Sequence, residues 1–219
     1  MKIISAQPAM IKEMVAFLQT GKVTAYPTET VYGLGCDATN QLAVKNIFRI
    51  KGRQSDKALP ILVSSIAMLK KYFIIDIYSH RLVDKYWNSR SPEYDPQKLV
   101  LTLILNFNCH GREIFKRFIN QKNFDAAVRV CRHPEVARII KKLRKPLVAT
   151  SANPSGQPAA LNAQDVLNYF KNNKNKPDVI WDGGNLKKSK GSTLIDFRSG
   201  KIKILRNGNL SAKQIKNIL

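Results

Sequence analysis

The chain has 219 residues, of which 44% are hydrophobic, enough to bury a sizeable core and to exclude an intrinsically disordered protein. Its longest apolar runs, such as LVLTLIL (99–105), are too short to cross a bilayer, and MKIISAQPAM at the N-terminus holds no signal-peptide core, so a soluble cytoplasmic protein is expected. With 37 Lys and Arg against 15 Asp and Glu, the net charge of +22 suits polyanionic partners, although a generally Lys- and Asn-rich composition explains it equally well.

In chain order, MKIIS (1–5) reads as a short edge strand. Ile11, Met14, Val15 and Leu18 recur at helical spacing, predicting a helix over 8–20 that Gly21 stops. KVTAYPT (22–28) is a strand entering a turn. Asn40 is placed to cap a helix carrying Leu42, Val44, Ile47 and Phe48. ALPILV (58–63) is a buried strand, Ser65 opens another helix, and 76–87 is helical. LVLTLIL (99–105), AAVRV (126–130), PLVAT (146–150), DVIWD (178–182), STLIDF (192–197) and KIKILR (201–206) follow as strands. Helices intervene at about 110–122, 134–144 and 162–171, and a short one closes the chain over 211–219.

No internal repeat is present. The irregular alternation of strands and helices predicts one α/β (α+β) domain over 1–219, a twisted mixed β-sheet with flanking helices. NSRSPEYDPQK (88–98) has two prolines and no apolar periodicity, and reads as a surface loop insertion. KNNKNK (171–176) and KKSKG (187–191) read as mobile basic loops, and no aromatic pattern interleaves with the basic residues to make a stacking platform.

Three stretches could carry chemistry. TSANPSG (150–156) follows an apolar strand and offers hydroxyls and backbone N–H groups, which suit phosphate oxygens; a plain Asn-Pro turn has the same composition. YPTETVYGLGCDA (26–38) also follows a strand and packs two threonines, two glycines and a tyrosine into one loop. KGR (51–53) ends a helix, where Lys51 and Arg53 either favour the helix C-terminus or neutralise a triphosphate. Cys36, Cys109 and Cys131 are too widely spaced for a zinc pattern. His80, His110 and His133 form no ligand cluster, and neither a Ser-His-Asp set nor a Walker A loop is present.

YPTETVYGLGCDA, IFRIKGR (47–53), AVRV followed by HP, PLVATSANPSG, and STLIDF near ILRNG occur in the same order in the YrdC-like family of L-threonylcarbamoyladenylate synthases. The chain resembles that family's short, single-domain form from about residue 2 to 210, since nothing follows Leu219 for a further domain. The resemblance implies a YrdC-like fold with a concave basic face. It also implies an ATP-using nucleotidyltransferase that makes threonylcarbamoyl-AMP and pyrophosphate from L-threonine, bicarbonate and ATP. The product serves threonylcarbamoylation at position 37 of tRNA through partner proteins of a transfer complex.

Matched position by position, the resemblance assigns Lys51 and Arg53 to the ATP phosphates as the catalytic cations. Ser151 and Asn153 contact the nucleotide, with Arg206 near it. Thr28, Arg129 and Ser192 hold threonine, Arg129 pairing with its carboxylate. It implies no protein ligand for a metal, Mg2+ being held by phosphates and water. It also implies weak contact with tRNA or structured RNA and none with membranes. The chemistry agrees, because labile carbamate and phosphate anions need cations and preorganised donors more than a covalent nucleophile.

Alternatives stay open at two residues, since Arg129 also suits a salt bridge within a strand and Ser192 a turn. The sequence departs from the family twice: Gln54 follows Arg53 where proline is usual, and Asn88 follows Trp87 where Trp-Pro-Gly is usual. These departures bear on efficiency and selectivity more than on fold. Two other functions compete: an RNA-binding module of the same fold without catalysis, favoured by the charge and the altered Trp87 segment, and an enzyme adenylating a carbamoyl group from another donor.

Overall fold

The computed structural model describes residues 1–53, 59–88, 100–115 and 124–216. From the N-terminus, β1 (Lys2–Ser5) leads into α1 (Ile11–Gln19), which buries Ile11, Met14, Val15 and Leu18. Gly21, at φ 77°, turns the chain out of the helix. β2 (Thr24–Pro27) and β3 (Tyr32–Gly35) pair as an antiparallel hairpin. α2 (Gln41–Lys51) begins at Asn40, whose side chain accepts from the Ala43 N–H at 3.1 Å. β4 (Ile61–Val63) precedes α3 (Ile66–Tyr72), capped by Ser65, and α4 (Ile77–Tyr86), capped by Asp76.

The second half runs β5 (Leu101–Asn106), α5 (Cys109–Phe115), β6 (Asp125–Val130) and α6 (Pro134–Leu143). β7 (Leu147–Val148), β8 (Thr150–Ser151) and α7 (Ala163–Phe170), capped by Asn162, come next. β9 (Val179–Asp182), β10 (Thr193–Asp196), β11 (Lys203–Arg206) and α8 (Ala212–Lys216) complete the described chain. The α/β class with flanking helices and mixed pairing is therefore as expected, but the strands form two sheets where one was expected. One has the order β1-β9-β2-β3-β8, with β1 at its edge; the other has the order β11-β10-β5-β6-β4-β7. Each contains both parallel and antiparallel pairs. Among the described residues, no helix is long and apolar enough to cross a membrane.

Three local expectations are also corrected. YGLG is β3 and not part of a loop. Its glycines reflect close packing: a Cβ on Gly35 would overlap the Val148 carbonyl oxygen and crowd the Tyr26 ring. PLVAT is not one strand but two, broken at Ala149. Leu147 and Val148 pair with Leu62 and Ile61 of β4, whereas Thr150 and Ser151 pair with Leu34 and Gly33 of β3. The chain thus steps from one sheet to the other within a single residue, whose N–H donates to the Pro60 carbonyl at 2.8 Å. Leu42 also lies off the buried face of α2, at 73% exposure, and Ala43 and Ile50 are buried instead. Gln54, the expected insertion beyond Asn88, and the later parts of the helices expected over 110–122 and 211–219 lie outside the described residues.

Buried side chains form two clusters. The larger gathers Leu34, Ile47, Phe107, Val128 and Phe170, and the smaller packs α1 and α6 with Tyr26, Leu62 and Trp181. Tyr26 and Cys36 face different clusters from the same hairpin, so β2 and β3 are held on both sides. Gly35→Ala is expected to destabilise the protein by about 1–3 kcal/mol, because the new methyl meets backbone that cannot rotate away. A urea midpoint equal to that of the wild type would show that the sheets separate here without cost.

Candidate functional site

The period of two along a strand places alternate residues on one face of the six-stranded sheet. Asp125, Ala127 and Arg129 from β6, with Thr102 and Ile104 from β5 and Leu194 from β10, line a cavity of about 690 Å³. The turn between β2 and β3 and the start of the 150–156 segment form other parts of its wall. Five cations, Arg53, Arg129, Lys190, Arg198 and Arg206, line it against one carboxylate, Asp125, which pairs with Arg198. A second cavity of about 530 Å³ shares Arg53, Thr150 and Ser151 with the first and adds Lys51, Asn153 and Gly156. The residues singled out in KGR and TSANPSG therefore come together, and they adjoin those singled out in YPTET, AVRV and ILRNG.

Lys51, the last residue of α2, is only 4% exposed. Its ammonium donates to the carbonyl oxygens of Ser151 at 2.6 Å and Asn153 at 2.8 Å, and to Asn153 Oδ1 at 3.2 Å. The Ser155 N–H returns a bond to the Lys51 carbonyl at 2.9 Å. Lys51 thus clamps the 151–155 turn from a buried position at the helix end. Burial, with the charge of Arg53 next, brings its pKa from 10.5 down to about 8. Asn153 also donates through Nδ2 to the Gln157 carbonyl, which fixes the far side of the turn.

At the opposite wall, Arg206 Nη2 donates to Ser192 Oγ at 2.7 Å and its Nε to the Ser192 carbonyl at 2.9 Å. Thr102 Oγ1 donates to the same Ser192 hydroxyl at 2.7 Å. Ser192, expected at the threonine, and Arg206, expected at the nucleotide, are therefore one hydrogen-bonded unit. Burial and the nearby charge of Arg129 both lower the Arg206 pKa, so the cationic corner is crowded. The unit is held by Thr193, whose hydroxyl donates to the Leu210 carbonyl at 2.7 Å and accepts the Gly208 N–H at 3.0 Å. Gly208 must lack a side chain here, because a Cβ would overlap the backbone of residues 191–193.

Arg129 Nη2 lies 3.3 Å from Glu29 Oε2, so Arg129 both lines the cavity and makes the salt bridge that was its alternative reading. Burial raises the Glu29 pKa, but Arg129 and the backbone N–H groups of residues 29, 132 and 133 outweigh it, leaving the carboxyl below its ordinary value. Thr28 spends its hydroxyl within its own turn, donating to the Val31 carbonyl at 2.7 Å and accepting from the Thr30 and Val31 N–H groups.

Sequence reasoning missed Glu29, Thr102, Asp125 and Arg198. The usable signal was strand alternation for Thr102 and Asp125, and a charge between two threonines for Glu29. It also set Lys190 apart with the basic loops, whereas Lys190 lines the larger cavity. Among the described residues, no group of three or more His, Cys, Asp or Glu could hold a metal ion.

Replacing Lys51 with Met removes the cation and leaves buried carbonyls without their donor, at an expected cost of about 1–3 kcal/mol near neutral pH. The folded pKa lies below the unfolded one, so the unfolded chain binds more protons between about 8 and 10.5. Wild-type stability relative to Lys51→Met should therefore rise with pH across that window, and denaturant titrations at several pH values measure it. A flat difference would show that burial does not depress this amine.

The family model described as Telomere recombination, of the Sua5, YciO and YrdC proteins, matches residues 16–208. A threonylcarbamoyl-AMP synthase of Pyrococcus abyssi is 32% identical over 210 residues, covering 95% of this chain and 57% of that protein. The structure of P. abyssi Sua5 complexed with L-threonine aligns at a TM-score of 0.83 and 31% identity, over 100% of this chain and 59% of that one. Escherichia coli YciO aligns at a TM-score of 0.76 and 22% identity over 94% of each chain, a likeness of fold. The chain thus spans a little over half the length of the P. abyssi proteins it matches.

Proposed function

The chain belongs to the Sua5, YciO and YrdC family, and on that premise we propose that it is an L-threonylcarbamoyladenylate synthase acting in the cytoplasm. The observation that supports this reading is the junction of the two cavities at Arg53, Thr150 and Ser151. A hydroxyl- and amide-rich turn clamped by Lys51 adjoins a wall carrying Arg129 and Arg206, so two anionic substrates can lie side by side. Arg53, Ser151 and Asn153 take the ATP phosphates, with Arg206 close to the nucleotide. Arg129 takes the carboxylate of L-threonine, beside Thr28 and Ser192.

The threonine amine attacks the carbon of CO2 drawn from bicarbonate and loses a proton, giving a carbamate. A carbamate oxygen then attacks the α-phosphorus in line, and pyrophosphate leaves. The protein supplies position and fixed positive charge, which need no reorganisation as charge shifts toward the leaving pyrophosphate. Lys51 acts first by holding the turn, since its donors already meet three acceptors. Mg2+ fits as an ion carried in by the nucleotide, held by phosphate oxygens and water, because the cavity's carboxylate is paired with Arg198. The product passes to partner proteins that transfer the group to position 37 of tRNA.

Pyrophosphate release from ATP should depend on both L-threonine and bicarbonate. Dependence on neither would favour the RNA-binding module, and dependence on another carbamoyl donor would favour the third reading. Arg129→Ala should raise the KM for L-threonine at least tenfold more than that for ATP, because a charge-assisted pair contributes about 1.5–3 kcal/mol. Equal effects on both substrates would remove the carboxylate role.

The +22 charge favours additional weak RNA binding through phosphates. Lys171, Lys174, Lys176, Lys187 and Lys188 are exposed and, unlike Lys190, do not line either cavity. Replacing these five with glutamine should lower RNA affinity and its salt slope in filter-binding titrations while sparing pyrophosphate release. Salt-insensitive or strongly sequence-selective binding would overturn the electrostatic account.

A further inference from the structure

Glu29 sits in the turn between β2 and β3, flanked by Thr28 and Thr30, which both line the larger cavity. Its side chain is 4% exposed. Burying a carboxylate is costly unless its oxygens find partners; here one oxygen is hydrogen-bonded and the other is held by charge alone. Oε1 accepts the backbone N–H groups of Arg132 and His133, the latter at 2.8 Å. Oε2 lies 3.3 Å from Nη2 of Arg129, an ion pair without hydrogen-bond geometry. The first pair ties the carboxylate to the chain just beyond β6, three and four residues after Arg129. The second uses that anchored carboxylate as a stop for the guanidinium. An arginine fork is planar and rigid, so an anchored charge beside one Nη biases the direction of its other donors.

We propose that Glu29 is the positioning residue for Arg129, holding its guanidinium at the cavity wall so that it receives the carboxylate of the amino-acid substrate. This rests on the reading of Arg129 given above. The alternative is purely electrostatic: a buried negative charge beside Arg129 weakens its attraction for another anion. The two accounts predict opposite signs. Loss of the Glu29 charge loosens the guanidinium and weakens amino-acid binding if Glu29 positions, and strengthens it if Glu29 only neutralises. Glu29→Gln is the informative variant, because its amide oxygen still accepts from Arg132 and His133 and the turn keeps its anchor.

The test measures L-threonine and ATP affinities by calorimetry for the full chain, for Glu29→Gln, for Arg129→Ala and for the double variant. Glu29→Gln should raise the Kd for L-threonine about tenfold, the share of a charge-assisted contact, and leave that for ATP within about twofold. In the Arg129→Ala background the same change should add nothing. Tighter threonine binding, equal losses for both ligands, or the same loss without Arg129 would overturn the proposal. A second arm is independent of substrate. With 15N-labelled arginine, the Nη signals of Arg129, assigned by their loss in Arg129→Ala, should be resolved in the wild type by hindered rotation and merge in Glu29→Gln. A wild type that does not bind L-threonine removes the substrate reading. Unchanged Nη rotation in Glu29→Gln removes the positioning role.

Discussion

The arrangement of the site depends on one buried ammonium. Lys51 ends α2 and reaches a turn one hundred residues away in sequence, where two carbonyls and an amide oxygen receive it. Without that donor, the turn after β8 would hold buried acceptors with no partner, which is more costly than leaving a hydrogen bond unformed in water. The same contact brings Arg53, two residues further on, to the wall that both cavities share. A single cation thus sets the shape of the turn and the place of the next cation.

The acids follow a related logic. In a chain of +22, several carboxylates are spent as internal ties. Glu29 joins the β2–β3 turn to the end of β6, and Asp37 binds Lys145 at 2.8 Å ahead of β7. Asp125 and Asp196 hold Arg198, and Asp178 accepts the Val23 N–H at 2.9 Å. The side chains of Glu29, Asp37 and Asp125 are buried in this way, and the cavity wall keeps its excess of arginine. Most of these ties connect elements far apart in the chain, so they determine tertiary geometry more than local structure.

That distinction explains what was legible in the sequence. Helix starts were readable because a cap is a local contact: Asn40, Ser65, Asp76 and Asn162 all accept N–H groups two or three residues ahead. The buried stripe of α1 and the β-rich runs were readable from their periods. YGLG misled because glycine serves both turns and close backbone packing, and only the neighbour, here the Val148 carbonyl, separates the two. PLVAT misled because its composition is uniform while its partners change at Ala149. The motif residues that line the two cavities could be singled out, but their pairings could not. Nothing local says that Lys51 turns inward, that Ser192 binds Arg206, or that Glu29 meets Arg129.

The one-residue step at Ala149 has a thermodynamic consequence. β7 belongs to one sheet and β8 to the other, so the turn that follows exists in its observed form only when both sheets are assembled. A ligand held by that turn binds a conformation in which neither sheet has opened. Its free energy of binding therefore adds to the stability of both at once, in proportion to the logarithm of its concentration over its dissociation constant. Any ligand that saturates this turn would in this way couple the two β-sheets more tightly into one cooperative unit.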